Sequence, residues 1–194
     1  MYPHEFLSSS VWVTKMKTYF KLMDVDKNGV LTLSDYEEIA ERMIQLQSDR
    51  SRSEEIRGMC RSLFQYFVAG GAAIDSDTQI NEEEFIANAA KTVSLIQVPD
   101  KVLKVAKHKN ELFFDLIDAD HSGEISREEY CKYLQVYTGE GKPEAANQAF
   151  DSIDLDGSGS ISRAEFVESH RVYWFEHTSN QSHSPLPYGV LVDQ

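Results

Sequence analysis

Residues 154–165 read DLDGSGSISRAE, and this stretch limits what the chain can fold into more than any other. Asp154, Asp156 and Ser158 stand at positions 1, 3 and 5, the backbone carbonyl of Ser160 at 7, Ser162 at 9 and Glu165 at 12. Position 6 is Gly159, where a sharp turn makes a Cβ costly. A loop of this kind wraps its oxygens around one point, and hard cations such as Ca²⁺ take six to eight oxygens. Residues 118–129, DADHSGEISREE, repeat the pattern with Asp118, Asp120, Ser122, the carbonyl of Glu124, Ser126 and Glu129, and with Gly123 at position 6. Both stretches lie between apolar runs of helical spacing, which turns a chance resemblance into a pair of built loops.

That spacing is the helix–loop–helix calcium motif, the EF-hand. Residues 24–35, DVDKNGVLTLSD, make a third loop, with Asp24, Asp26, Asn28, the carbonyl of Val30, Thr32 and Asp35. Here position 12 is Asp, one methylene shorter than Glu. Weaker Ca²⁺ binding and greater tolerance of the smaller, octahedral Mg²⁺ are expected at this loop. A fourth loop is placed by its apolar position 8, Ile80, which puts Ala73 at position 1 and Thr78 at position 6. It lacks the first ligand and the glycine, so it is expected to hold no ion and to pair Ile80 with Leu31 in a short β-bridge. Ile125 and Ile161 are expected to pair in the same way. Position 9 doubles as a helix N-cap: Ser126 with Glu129 and Ser162 with Glu165 form S-x-x-E capping boxes.

The expected fold is all-α: four EF-hands in two paired lobes, one compact globule, with the C-terminal tail packed back. The expected divisions are an N-terminal pair over 1–98, a C-terminal pair over 99–177 and a tail over 178–194. Residues 1–8 read as a loose lead. Helices are expected over about 9–23, 36–47, 54–68, 82–98, 100–117, 126–137, 143–153 and 162–177, with a polar linker at 47–54 and Pro99 breaking the chain between halves. Residues 185–192, PLPYGVLV, are too apolar to be left in water and should cover an opening near Trp174.

The net charge is −13 and the pI about 4.8, which argues against nucleic acid or an anionic membrane surface as partner. The three good loops supply nine ligand carboxylates, three from each. Cys60 and Cys131 sit in apolar runs without a CxxC and read as core thiols of a reducing compartment. No 18-residue apolar stretch predicts a membrane span, and no basic-then-apolar leader opens the sequence, so a cytoplasmic monomer is expected. No nucleophile–base arrangement or phosphate-cradling loop is seen, and no enzyme activity is expected. His108, His121 and His177 read as solvated.

The loops and the two ends of the sequence together resemble the sarcoplasmic calcium-binding protein group. That group includes calexcitin, coelenterazine-binding proteins and the Ca²⁺-regulated photoproteins. Trp12, in WVTKMKTYFKLMDVD, resembles the photoprotein first helix. His170 and Trp174, followed by Tyr188-Gly189, resemble the C-terminal His–Trp–Tyr set with which photoproteins hold a peroxidised luciferin. Met16, Phe85 and Ala89 replace the remaining photoprotein residues, so light emission is not expected. The resemblance implies a Ca²⁺/Mg²⁺ buffer with three active hands. Its alternatives are a Ca²⁺ sensor and a carrier that binds coelenterazine or another hydrophobic molecule at His170, Trp174 and Tyr188.

Overall fold

The computed structural model describes residues 2–47, 49–94, 100–139, 143–178 and 185–189, the side chains of 100–105 excepted. Ser9 starts the first long helix: its hydroxyl accepts from the Trp12 N–H at 3.2 Å and caps α2 (Ser10–Met23). Trp12, Met16, Tyr19, Phe20 and Met23 then share its buried stripe. The loop after α2 carries β1 (Val30–Leu31) and enters α3 (Leu33–Leu46) at Thr32, whose N–H and hydroxyl both donate to Asp35. The second hand comprises α4 (Ser53–Leu63), β2 (Ile80–Asn81) and α5 (Glu82–Ser94). In the second half, α6 (Asp100–Ile117), β3 (Glu124–Ser126) and α7 (Arg127–Thr138) form the third hand. The fourth is α8 (Pro143–Ile153), β4 (Ser160–Ser162) and α9 (Arg163–Phe175).

Each pair of hands is joined by a two-stranded antiparallel ladder. Leu31 is opposite Ile80 and Ile125 is opposite Ile161, the partners expected from position 8 of each loop. Leu31, Ile125 and Ile161 are fully buried, so the ladders tie the loops to the core beneath them.

The two lobes share one apolar core. Trp174 in α9 meets Tyr19 of α2 edge-on at 4.9 Å between ring centroids, and the Trp12 indole donates to the Trp174 carbonyl at 2.9 Å. At the rim, the Gln47 amide donates to the Leu116 carbonyl at 3.1 Å, and Arg52 lies 3.4 Å from Asp115.

Residues 185–189 are inserted between the lobes. Tyr130 donates to the Pro187 carbonyl at 2.7 Å, and the Leu186 N–H donates to Ser152 Oγ at 2.9 Å. The ring of Tyr188 touches Tyr19, Tyr137 and Tyr173, from both halves. Val190, Leu191 and Val192, also expected in this plug, lie outside the described residues, as do Pro99 and the turn residues 140–142.

Four expectations are corrected. The lead is not loose: α1 (Pro3–Leu7) begins on a helix-compatible proline, and Phe6 is fully buried between Trp12 and His177 at 5.2 and 4.6 Å. His177 is therefore not solvated; its Nδ1 is buried without a partner among the described residues. The helix expected over 54–68 ends as an α-helix at Leu63 and continues as a π turn (Phe64–Val68). The extra residue leaves carbonyls to be satisfied elsewhere. Asn88 and Thr92 of α5 do so, donating to the carbonyls of Val68 and Tyr66, each at 2.9 Å. Cys60 is buried as expected, while Cys131 is only half-buried, with Sγ 3.8 Å from Asn147 Oδ1.

Candidate functional site

The three loops with complete oxygen patterns are built alike. Asp154, Asp118 and Asp24 each accept two backbone N–H groups from positions 5 and 6 of their own loops, at 2.9–3.1 Å. Glu165 spans its loop: Oε1 accepts from the Leu155 N–H at 3.0 Å, and Oε2 accepts from the Ser162 N–H and hydroxyl at 2.9 and 2.7 Å. Glu129 does the same with Ala119 and Ser126. Asp35, though shorter, reaches the equivalent groups of Val25 and Thr32, and it is more deeply buried than either Glu. One carboxylate thus anchors the second loop residue and the first turn of the outgoing helix together.

The backbone explains the loop residues that carry no ligand. Gly29, Gly123 and Gly159 take φ values of +85°, +90° and +87°, and a Cβ at any of them would meet open space. The glycine is therefore required by the left-handed turn and not by crowding. Position 4 is left-handed as well, at Lys27 and His121, with φ of 58° and 57°.

Carboxylate oxygens of Asp24, Asp26 and Asp35 lie within 4.8 Å of one another, as do those of Asp118, Asp120 and Glu129 and those of Asp154, Asp156 and Glu165. Such clustering of like charges is repulsive on its own and suits a divalent cation bound by oxygen. The loop over 73–84 makes no such group among the described residues. Its Asp75 turns back on Asp77 N–H and Thr78 Oγ1, and its Glu84 accepts from the N–H of the N-cap Asn81.

A second feature lies between the lobes. A cavity of about 390 Å³ is lined by His170, Trp174 and Tyr188 together with Tyr19, Phe67 and Lys109. Phe67, on the π turn, packs against Trp174 at 5.4 Å. His170 sits with Nδ1 2.8 Å from the Phe166 carbonyl, an acceptor only, so Nδ1 carries the proton. Burial, with the nearby Lys109 charge, holds the His170 pKa well below its usual value, and the imidazole is neutral. The hydroxyl pKa of Tyr188 is raised well above the ordinary value by burial, so this wall is a neutral phenol.

The cavity also holds a residue that motif reading passed over. Lys109 is 6% exposed, and burial lowers its pKa to about 7. A signal was present: Lys109 shares the helical face of Leu112, Phe113 and Leu116. Lys15, fully buried on the stripe of Trp12 and Tyr19, is a similar case, and its Nζ has no hydrogen-bond partner among the described residues.

Known proteins agree with this geometry. Models described as an EF-hand domain pair match residues 109–171 and 76–137, and an EF-hand model matches 16–40. The chain is 34% identical to the sarcoplasmic calcium-binding protein of Hediste diversicolor, over 63% of this chain and 67% of that one. Among solved structures, the coelenterazine-binding protein of Renilla muelleri in its calcium-loaded apo form aligns with a TM-score of 0.64 at 26% identity, over 93% of this chain and 96% of that one. Okadaic acid binding protein 2.1 shares the fold with a TM-score of 0.75 at 20% identity, over 95% and 98%.

Proposed function

Since the chain belongs to the sarcoplasmic calcium-binding protein family of EF-hand proteins, we propose that it is a calcium buffer with three active hands, in the loops over 24–35, 118–129 and 154–165. The observation that carries this is the convergence of three carboxylates in each of those loops and its absence over 73–84. Each ion would be held by side chains at positions 1, 3, 5 and 12, by the carbonyl of Val30, Glu124 or Ser160, and at position 9 directly or through water. The first loop also accepts Mg²⁺ in this reading, because Asp35 offers the shorter reach. The two halves, 1–98 and 99–177, act as paired hands, with 178–194 as the covering tail. A cytoplasmic compartment and a monomeric state complete this reading.

A buffer barely opens when it binds, whereas a sensor exposes an apolar groove. The insertion of Tyr188 between the lobes supports the buffer, because it fills the space a target helix would need. Binding of an apolar dye should therefore change little between calcium-free and calcium-loaded protein. A several-fold rise on adding Ca²⁺ would instead favour a sensor.

One observation supports a second role. The cavity at His170, Trp174 and Tyr188 has the size and apolar lining of a small-molecule site. A neighbour at 26% identity is named for binding coelenterazine. A hydrophobic ligand held there would quench Trp174 fluorescence on titration.

A further inference from the structure

The wall of this cavity carries a charge that the calcium loops do not use. Among its described residues Lys107, Lys109, Arg163 and Arg171 are cationic and Glu111 alone is anionic, in a chain whose net charge is −13. Three of the four cations have partners at the rim. Arg163 lies 2.8 Å from Asp115, Arg171 makes two hydrogen bonds to Glu168, and Lys107 is 3.8 Å from Glu111.

Lys109 differs from them. It is buried, and no carboxylate pairs with it among the described residues. Its ammonium is 3.4 Å from the Tyr188 hydroxyl and 5.4 Å from the centroid of the Phe113 ring. Neither contact supplies a negative charge. His170, in the same wall, is neutral, with its one ring proton committed to the Phe166 carbonyl. A buried cation without a partner is costly, and it is usually retained where something completes it.

We propose that the cavity takes an apolar, ring-bearing carboxylic acid, with its rings against Tyr19, Phe67 and Trp174 and its carboxylate on Lys109 and Tyr188. The donors suit that group: the ammonium and the phenol hydroxyl, 3.4 Å apart, can each give a proton to one of the two carboxylate oxygens. Tyr19, Leu63, Phe67, Trp174 and Phe175 make an apolar wall, while Lys107, Glu111, Arg163 and Arg171 keep about half or more of their side chains exposed, so the buried charge is that of Lys109. Among the described lining residues, the rim pairs leave Lys109 as the one cation without a carboxylate partner. This inference rests on the second role given above and adds to it the charge of the ligand.

The test uses two probes of nearly equal shape, 1-pyrenebutanoate and 1-pyrenebutanol, titrated into the full calcium-loaded chain at neutral pH and followed by tryptophan quenching. The acid should bind at least about tenfold more tightly than the alcohol, the range of a hydrogen bond to a charged group. Lys109→Met and, independently, Lys109→Gln should reduce that preference to about twofold or less. Unaltered calcium stoichiometry would show that the variants are folded. Equal affinity of acid and alcohol in the wild type would overturn the charge inference while leaving an apolar cavity in place. A preference that survives both substitutions would overturn it too, by moving the carboxylate to the rim arginines. If neither probe bound, the cavity role and this inference would both fall.

Discussion

At the scale of the residue, the last loop position carries two duties at once. Glu165 Oε1 holds the Leu155 N–H while Oε2 holds the Ser162 N–H and hydroxyl, so one carboxylate links loop and helix start. Gln at this position keeps one acceptor oxygen and sets an amide donor against an N–H. Glu165→Gln and Glu129→Gln should each weaken Ca²⁺ at their own loops by more than the roughly 10–100-fold that loss of an outer hydrogen-bond partner costs a metal site. The sister loop should weaken as well, through the Ile125–Ile161 pairing. Calorimetric titration of each variant checks this, and unchanged stoichiometry and affinity would refute the role of position 12. The buried lysines give a second prediction. Burial lowers the Lys109 pKa from 10.5 to about 7, whereas the unfolded chain keeps that proton to much higher pH. Between those values the unfolded state binds more protons, so stability should rise with pH from about 7 to 9, by at most about 1.4 kcal/mol per pH unit for one group. Below about pH 7 both states are protonated and the burial penalty is constant. Lys15, lowered by burial to about 8 with Glu176 opposing, adds the same trend higher up. Lys109→Met should raise the melting temperature at pH 7 and flatten the rise to pH 9. Parallel wild-type and variant curves would contradict the assignment.

At the scale of the element, what the sequence made legible was what repeats. The loops, the ladder partners at position 8 and the capping boxes at Ser126 and Ser162 follow from fixed spacing, and the structure has them in register. Two elements were not legible, because their cause lies far away in the sequence. The π turn needs Asn88 and Thr92, from another helix, to satisfy the Val68 and Tyr66 carbonyls, and nothing local to residues 64–68 announces it. Helix α1 is only 5 residues long, too short to persist alone, and stands because Phe6 is buried against Trp12 and His177. The tail is intermediate: its composition predicted burial, but only the fold shows which rings receive Tyr188. Removing residues 185–194 takes away the Tyr130–Pro187 and Leu186–Ser152 hydrogen bonds and the buried Tyr188 ring, whose burial is worth about 1.5–3 kcal/mol. The truncated chain should melt several degrees lower and bind more apolar dye when calcium-loaded. A truncated protein equal to the full chain in both respects would show that the tail does not cover the core.

At the scale of the whole molecule, the two lobes are closed on each other by one aromatic core in which Tyr19, Trp174 and Tyr188 meet. The cavity beside that junction belongs to neither lobe alone. The motif residues His170, Trp174 and Tyr188 marked its position in the sequence, whereas Lys109 becomes meaningful only once the helices are packed. The metal loops lie outside this core and carry much of the acidity of a chain of net charge −13; three bound Ca²⁺ would bring it to −7. Neutralising three clusters of carboxylates should therefore stabilise the fold without opening it. The central claim is that the first, third and fourth hands hold the ions and the second holds none. Calorimetric titration of calcium-free protein, with ion positions then read from crystals of the loaded form, tests it most directly. The account predicts three Ca²⁺ per chain, with the ion at Asp24, Asp26 and Asp35 the most readily displaced by Mg²⁺. A fourth ion within residues 73–84, or no ion at one of the three carboxylate clusters, would contradict it.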